Sequence, residues 1–75
     1  MVEVEIGGVR AVAEGYQWTS GDARLLRTLR GDAALFGWAA YEPFPALTLA
    51  RDAIARYGGR IVRQRPPDYA PGRVY

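Results

Sequence analysis

The sequence predicts a small α+β fold, a single-domain ββ-α-α-β sandwich in which an antiparallel three-stranded sheet carries two helices on one face. Three observations lead there. An alternating start with a Gly-Gly turn marks a hairpin, two stretches with apolar residues at helical spacing follow, and a β-branched run closes the pattern. The domain is expected over residues 1–65, with residues 66–75 as a Pro/Gly-containing C-terminal tail.

Val2, Val4 and Ile6 alternate with Glu3 and Glu5, the period of a half-buried strand. Gly7-Gly8 offers the two-residue loop that tight hairpin turns prefer. Folding the chain there pairs Ile6 with Val9, Val4 with Ala11 and Val2 with Ala13 on one face, and sets Glu5 opposite Arg10 on the other. The second strand runs on toward Trp18, but Gly15 interrupts it. Strict alternation puts Val12, Tyr16 and Trp18 on the Glu3/Glu5 face, whereas a bulge at Gly15 returns the aromatics to the core.

Thr19-Ser20-Gly21-Asp22 reads as a helix start, with Ser20 as N-cap and Asp22 near the positive dipole end. From Ala23 to Arg30, Leu25, Leu26 and Leu29 gather on one side, Arg24, Arg27 and Arg30 fan across the other, and Gly31 supplies a stop. Residues 31–45 suit a short irregular helix or a packed loop equally. Pro45 fits the first position of a second helix reaching about Tyr57. Ala46, Leu47, Ala50, Ala53, Ile54 and Tyr57 form its inner stripe, and Thr48, Arg51, Asp52 and Arg56 face away. Gly58-Gly59 ends it. Arg60 to Arg65 then reads as a strand joining the hairpin's sheet, terminated by Pro66-Pro67.

Composition excludes much chemistry. The 75 residues include ten Arg and no Lys, His, Cys or Asn, with a net charge of +2. Without Cys or His there is no zinc site, thiolate nucleophile or imidazole base, and without Lys no Ser–Lys dyad or P-loop lysine. No cofactor and no metal are expected, and the chain reads as non-enzymatic. A carboxylate pair is the one catalytic alternative, Glu14 with Asp22 or Glu42, and no motif supports it. The abundance of Ala, Arg, Gly and Pro beside the absence of Lys and Asn matches GC-rich codons, and so a high-GC bacterium or its phage. The acidic, alternating start is not a signal peptide, and the longest apolar run is too short to span a bilayer, so no membrane partner and a cytoplasmic location are expected.

Two surfaces are candidates for function. Aromatics crowd the middle of the chain, and Trp18, Trp38, Tyr41 and Phe44 are the candidate partner-binding residues of an accessory or regulatory protein-binding module. Exposed aromatics beside Arg anchor protein interfaces, and the partner is another protein or a second copy of the chain. The alternative is nucleic acid. Residues 1–22 carry four acids against one Arg, whereas residues 51–75 carry six Arg against two acids. Arg56, Arg60, Arg63 and Arg65 are the candidate anion- or nucleic-acid-binding residues, with Tyr16, Trp18, Tyr69 and Tyr75 as stacking platforms. Both basic groups, this one and the Arg24/Arg27/Arg30 stripe, also read as ordinary solvated faces. Pro66-Pro67-Asp68-Tyr69 resembles the PPxY ligands of WW domains, which implies a polyproline segment presented to an aromatic groove. The same residues also serve as a strand terminator.

Overall fold

The computed structural model describes residues 1–34 and 41–65. It is an α+β fold with the element order β1 (Val2–Ile6), β2 (Val9–Glu14), β3 (Gln17–Gly21), α1 (Ala23–Ala33), α2 (Pro45–Tyr57) and β4 (Arg60–Gln64). The sheet has four strands rather than three, in the order β3-β2-β1-β4, and the described pairs are antiparallel. α1 lies over β3 and β2, and α2 over β1 and β2. The described residues leave the other face of the sheet open.

The first hairpin has the register that the alternation predicts, from Val2↔Ala13 to Ile6↔Val9. Gly7 and Gly8 both take positive φ, as its turn requires. The additional strand arises at Gly15. At φ +61° this glycine occupies the first central position of a second two-residue turn, and Tyr16 follows with ordinary negative φ. The chain therefore reverses where the sequence offered only a pause or a bulge. The bulge lies further on, where the register against β2 steps from Ala13↔Trp18 to Val12↔Ser20 and leaves Thr19 as the extra residue. Pairing with Ala13 brings Trp18 to the core face.

The helix boundaries follow from that correction. Thr19 and Ser20 belong to β3, so the N-cap of α1 is Asp22 rather than Ser20. Its Oδ2 accepts the Leu25 backbone N–H at 3.0 Å, and its own N–H reaches the Arg10 carbonyl at 2.9 Å. α1 also continues through Gly31 to Ala33. A glycine inside a helix costs about 1 kcal/mol against alanine, less than the burial that Leu29 and Ala33 add by holding the last turn on the sheet. α2 begins at Pro45 as its fixed φ suggests, and Gly58 caps the far end by donating to Ile54 O at 2.8 Å.

One core joins the layers. Val2, Val4, Ile6, Ala11, Ala13 and Trp18 rise from the sheet to meet Leu25, Leu26 and Leu29 of α1 and Ala46, Leu49, Ala50 and Ala53 of α2. The small residues on α2 and β2 let the helix approach the sheet closely. Leu49 replaces Tyr57 in the inner stripe of α2, because the true centre of that face is set by Ala46, Ala50 and Ala53. Val9 sits beside the first turn and is partly exposed.

Two glycines govern how the chain leaves and rejoins the sheet. A Cβ on Gly21, just before α1, would lie 2.4 Å from Arg10 O, and one on Gly59, just after α2, would lie 2.3 Å from Glu5 O. Both take φ values, +135° and +126°, that other residues rarely adopt. The end of β4 is fastened to the start of β1 by a reciprocal pair of bonds, Arg65 N–H to Met1 O at 2.7 Å and the Met1 amino group to Arg65 O at 2.6 Å.

Candidate functional site

The candidate aromatic residues do not share one surface. Trp18 is 3% exposed and packs in the core, so it has no face to offer a partner, a correction that follows from its pairing with Ala13. Phe44 is half-buried against the same core from the position preceding α2. Tyr41 is the exception at 90% exposed, the most exposed large apolar residue among the described ones. Trp38 lies outside the described residues. So do Tyr69, Tyr75 and the Pro66-Pro67-Asp68-Tyr69 motif. Tyr16, at 62% exposed, projects from the second turn, well placed for contact but remote in sequence from Tyr41.

The candidate arginines are divided between a helix and an edge strand. Arg56 lies on α2 and donates from Nε to Asp52 Oδ2 at 3.0 Å, an i,i+4 pair in the last turn where the dipole also favours a cation. Arg60 and Arg63 come from β4 onto the open face of the sheet. Arg60 Nε lies 3.1 Å from Glu5 Oε1, while Arg10 approaches the other oxygen of the same carboxylate at 3.7 Å. The register explains this row, since Glu5 is opposite Arg10 on one side and Arg60 on the other. In the next row Arg63 is opposite Glu3, with Val62 as the bulged residue between them. Arg65 takes part through its backbone, in the clasp with Met1. The acidic first strand and the Arg-rich last strand are thus sequence-distant neighbours, and Glu5 offsets Arg60 across the β1–β4 pairing. Such exposed pairs contribute at most about 1 kcal/mol each. They matter here because they engage Arg56 and Arg60, two of the four guanidinium groups that a phosphate would need, while Arg63 and Arg65 form no ion pair among the described residues.

Two of the three acids of the catalytic alternative are likewise engaged elsewhere. Glu14 accepts from the Thr19 hydroxyl at 3.3 Å, and Asp22 caps α1. Among the described residues no cluster of His, Cys, Asp or Glu could hold a metal ion, and no helix is long and apolar enough to cross a membrane.

Two contacts escaped the sequence reading. Arg30 donates from Nε to the Trp18 carbonyl at 3.1 Å, joining the last turn of α1 to the edge strand. Tyr57 donates its hydroxyl to Asp32 Oδ2 at 2.5 Å, joining the ends of the two helices. That hydrogen bond, with the nearby charge of Asp32, holds the Tyr57 phenol above its ordinary value of 10.0. Helical spacing gave no sign of either contact, because each joins elements whose relative placement depends on the missed β3 strand. The chain matches no family model, no curated protein and no solved structure.

Proposed function

We propose that the chain is a non-enzymatic protein-binding module whose contact surface is centred on Tyr41. The observation that carries this reading is the exposure of the Tyr41 ring, 90%, in a protein whose Trp18 is fully packed and whose Phe44 is half-buried. A tyrosine held out in this way presents a rigid apolar ring with a polar tip, which anchors protein interfaces at little entropic cost. Phe44, three residues on, fixes the start of α2 to the core and so gives the Tyr41 segment a firm base. A partner protein suits this surface better than a second copy joined through the sheet, since both edge strands are bulged, β4 carries arginines and Arg30 of α1 covers a β3 carbonyl, features that discourage edge pairing.

Affinity capture from the source organism's lysate, run in parallel with wild type and Tyr41→Ala, tests the reading. The expected result is a protein retained by the wild type and lost, by tenfold or more for an anchor worth about 1.4 kcal/mol, from the variant. Equal recovery on both baits, with the variant folded by circular dichroism, would remove Tyr41 as the anchor.

A further inference from the structure

Charge within the chain is unevenly satisfied. Among the described residues every carboxylate except that of Glu42 has a partner. Glu3 and Glu5 meet arginines, Glu14 meets Thr19, Asp22 caps α1, Asp32 meets Tyr57 and Asp52 meets Arg56. The arginines are not matched in the same way. Arg24 and Arg27 on α1 form no ion pair among the described residues, nor do Arg51, Arg63 and Arg65.

Arg24 also sits where helix electrostatics disfavours a cation. Arg24 is the second residue of α1, at the positive end of its dipole, and Arg27 follows one turn later. The first turn contains no acid, and the residues three and four away from this pair are Ser20, Gly21, Ala23, Thr28, Arg30 and Gly31 beside the pair itself. Like charges at such spacing repel. α2 provides the contrast, because its Arg56 lies in the last turn with Asp52 one turn before it. Opposite Leu25, Leu26 and Leu29, α1 therefore carries two exposed cations that no ion pair among the described residues offsets.

We propose that this outer face of α1 is a docking surface for an acidic protein segment, recognised by carboxylates seated on Arg24 and Arg27. The proposal rests on the protein-binding reading and supplies the partner's chemistry. Residues three apart on a helix are separated by about 4.5 Å along its axis, close to the spacing of carboxylates one turn apart on a partner helix, and each guanidinium can bind a carboxylate bidentately. A nucleic acid is less favoured because its affinity is built from several phosphate contacts along a track. Here α1 covers β3 and β2, whereas Arg63 and Arg65 belong to the far side of the sheet at β4, and Arg10 and Arg60 between them are held by Glu5.

The test uses the intact protein at low salt, titrated separately with poly-L-glutamate and with a mixed-sequence DNA duplex. Wild type is compared with the double variant Arg24→Gln/Arg27→Gln and with Arg51→Gln. The expected outcome is polyglutamate binding by wild type, weakened about tenfold or more in the double variant and changed by less than about twofold in Arg51→Gln. The double variant should also melt at the same temperature as wild type or up to about 4 °C higher, because repulsion has been removed. A clear fall in Tm would instead give the two arginines a structural role and overturn the argument. No polyglutamate binding, an equal loss in Arg51→Gln, or tighter binding of the duplex would overturn it too. Lysate capture compared between wild type and Tyr41→Ala reads the Tyr41 surface, and the polyglutamate titration of the Arg24→Gln/Arg27→Gln variant reads this one, so their failures give different results.

Discussion

The guanidinium of Arg30 reaches out of the last turn of α1 and donates to the main-chain carbonyl of Trp18 at 3.1 Å. Glu14↔Gln17 closes a two-residue turn, so that pair exchanges its main-chain bonds and the groups of Trp18 point away from β2. Arg30 thus covers one of the outward-facing acceptors of an edge strand, the kind of group through which a second chain would pair. Arg30→Ala should cost about 1–2 kcal/mol, the usual worth of a hydrogen bond from a charged donor, measured by urea unfolding. Sedimentation at rising concentration should show the variant associating while wild type does not. Unchanged stability together with an unchanged sedimentation profile would show that the contact does neither.

Gly21 and Gly59 are the positions least able to accept a side chain. Alanine at either one would place its Cβ within 2.4 Å of a carbonyl oxygen on a neighbouring strand, and neither atom belongs to a flexible side chain that can move aside. Backbone strain at positive φ adds to the overlap. Gly21→Ala and Gly59→Ala should each cost about 3 kcal/mol or more, enough to unfold much of a small domain at room temperature. Gly7 is the control. Its φ of +60° is one that Asn tolerates, and a Cβ there would meet nothing within 4 Å. Gly7→Asn should shift the urea midpoint only slightly. Similar losses at all three positions would show that close approach is not what distinguishes Gly21 and Gly59.

The sequence was most legible where a single period, turn and charge agreed. Val2 to Ala13 gave its register in full because alternation, Gly7-Gly8 and the Glu5/Arg10 pair all specify the same pairing. Pro45 and Gly58 bounded α2 for similarly local reasons. The third strand was hidden because Gly15 is followed by Tyr16, not by a second turn residue, and because the bulge at Thr19 breaks the alternation that would have revealed it. That one omission misplaced the N-cap by two residues, from Asp22 to Ser20, and left the burial of Trp18 undecided. The candidate site was less legible than the fold. Counting arginines along the chain suggested a basic C-terminal surface, yet Arg60 pairs with Glu5, which lies 55 residues away and becomes its neighbour only through the β1–β4 pairing.

Glu5 should be the most sensitive acid on the open face. Among the described residues it is the one carboxylate that forms ion pairs with arginines of both adjacent strands, at 3.7 Å and 3.1 Å, so its removal leaves Arg10 and Arg60 facing each other across β1. Glu5→Gln should cost about 1 kcal/mol at low ionic strength, and most of that difference should vanish in about 1 M salt, where the Debye length falls to about 3 Å. Glu14→Gln, which loses only a contact with Thr19, should be close to neutral in both conditions. Paired urea titrations at the two salt concentrations check this. A loss at Glu5 that survives high salt would assign it to packing and not to charge.

Alkaline pH should loosen the junction between the two helices. Tyr57 holds Asp32 only while its phenol is protonated, and the hydrogen bond it donates raises its pKa above 10.0. A group whose pKa is higher in the folded state binds its proton more tightly there. Its contribution to stability is therefore complete below the unfolded value of 10.0 and is lost as pH rises through the folded value. Above that point a phenolate would stand directly against the Asp32 carboxylate, two anions with no proton between them. Wild type should accordingly lose stability relative to Tyr57→Phe as pH climbs past 10.0. Below that pH Tyr57→Phe should be the less stable of the two, lacking the bond altogether. Thermal melts of both proteins across this range provide the measurement, and two curves that run parallel throughout would show that the Tyr57–Asp32 bond does not couple the helices.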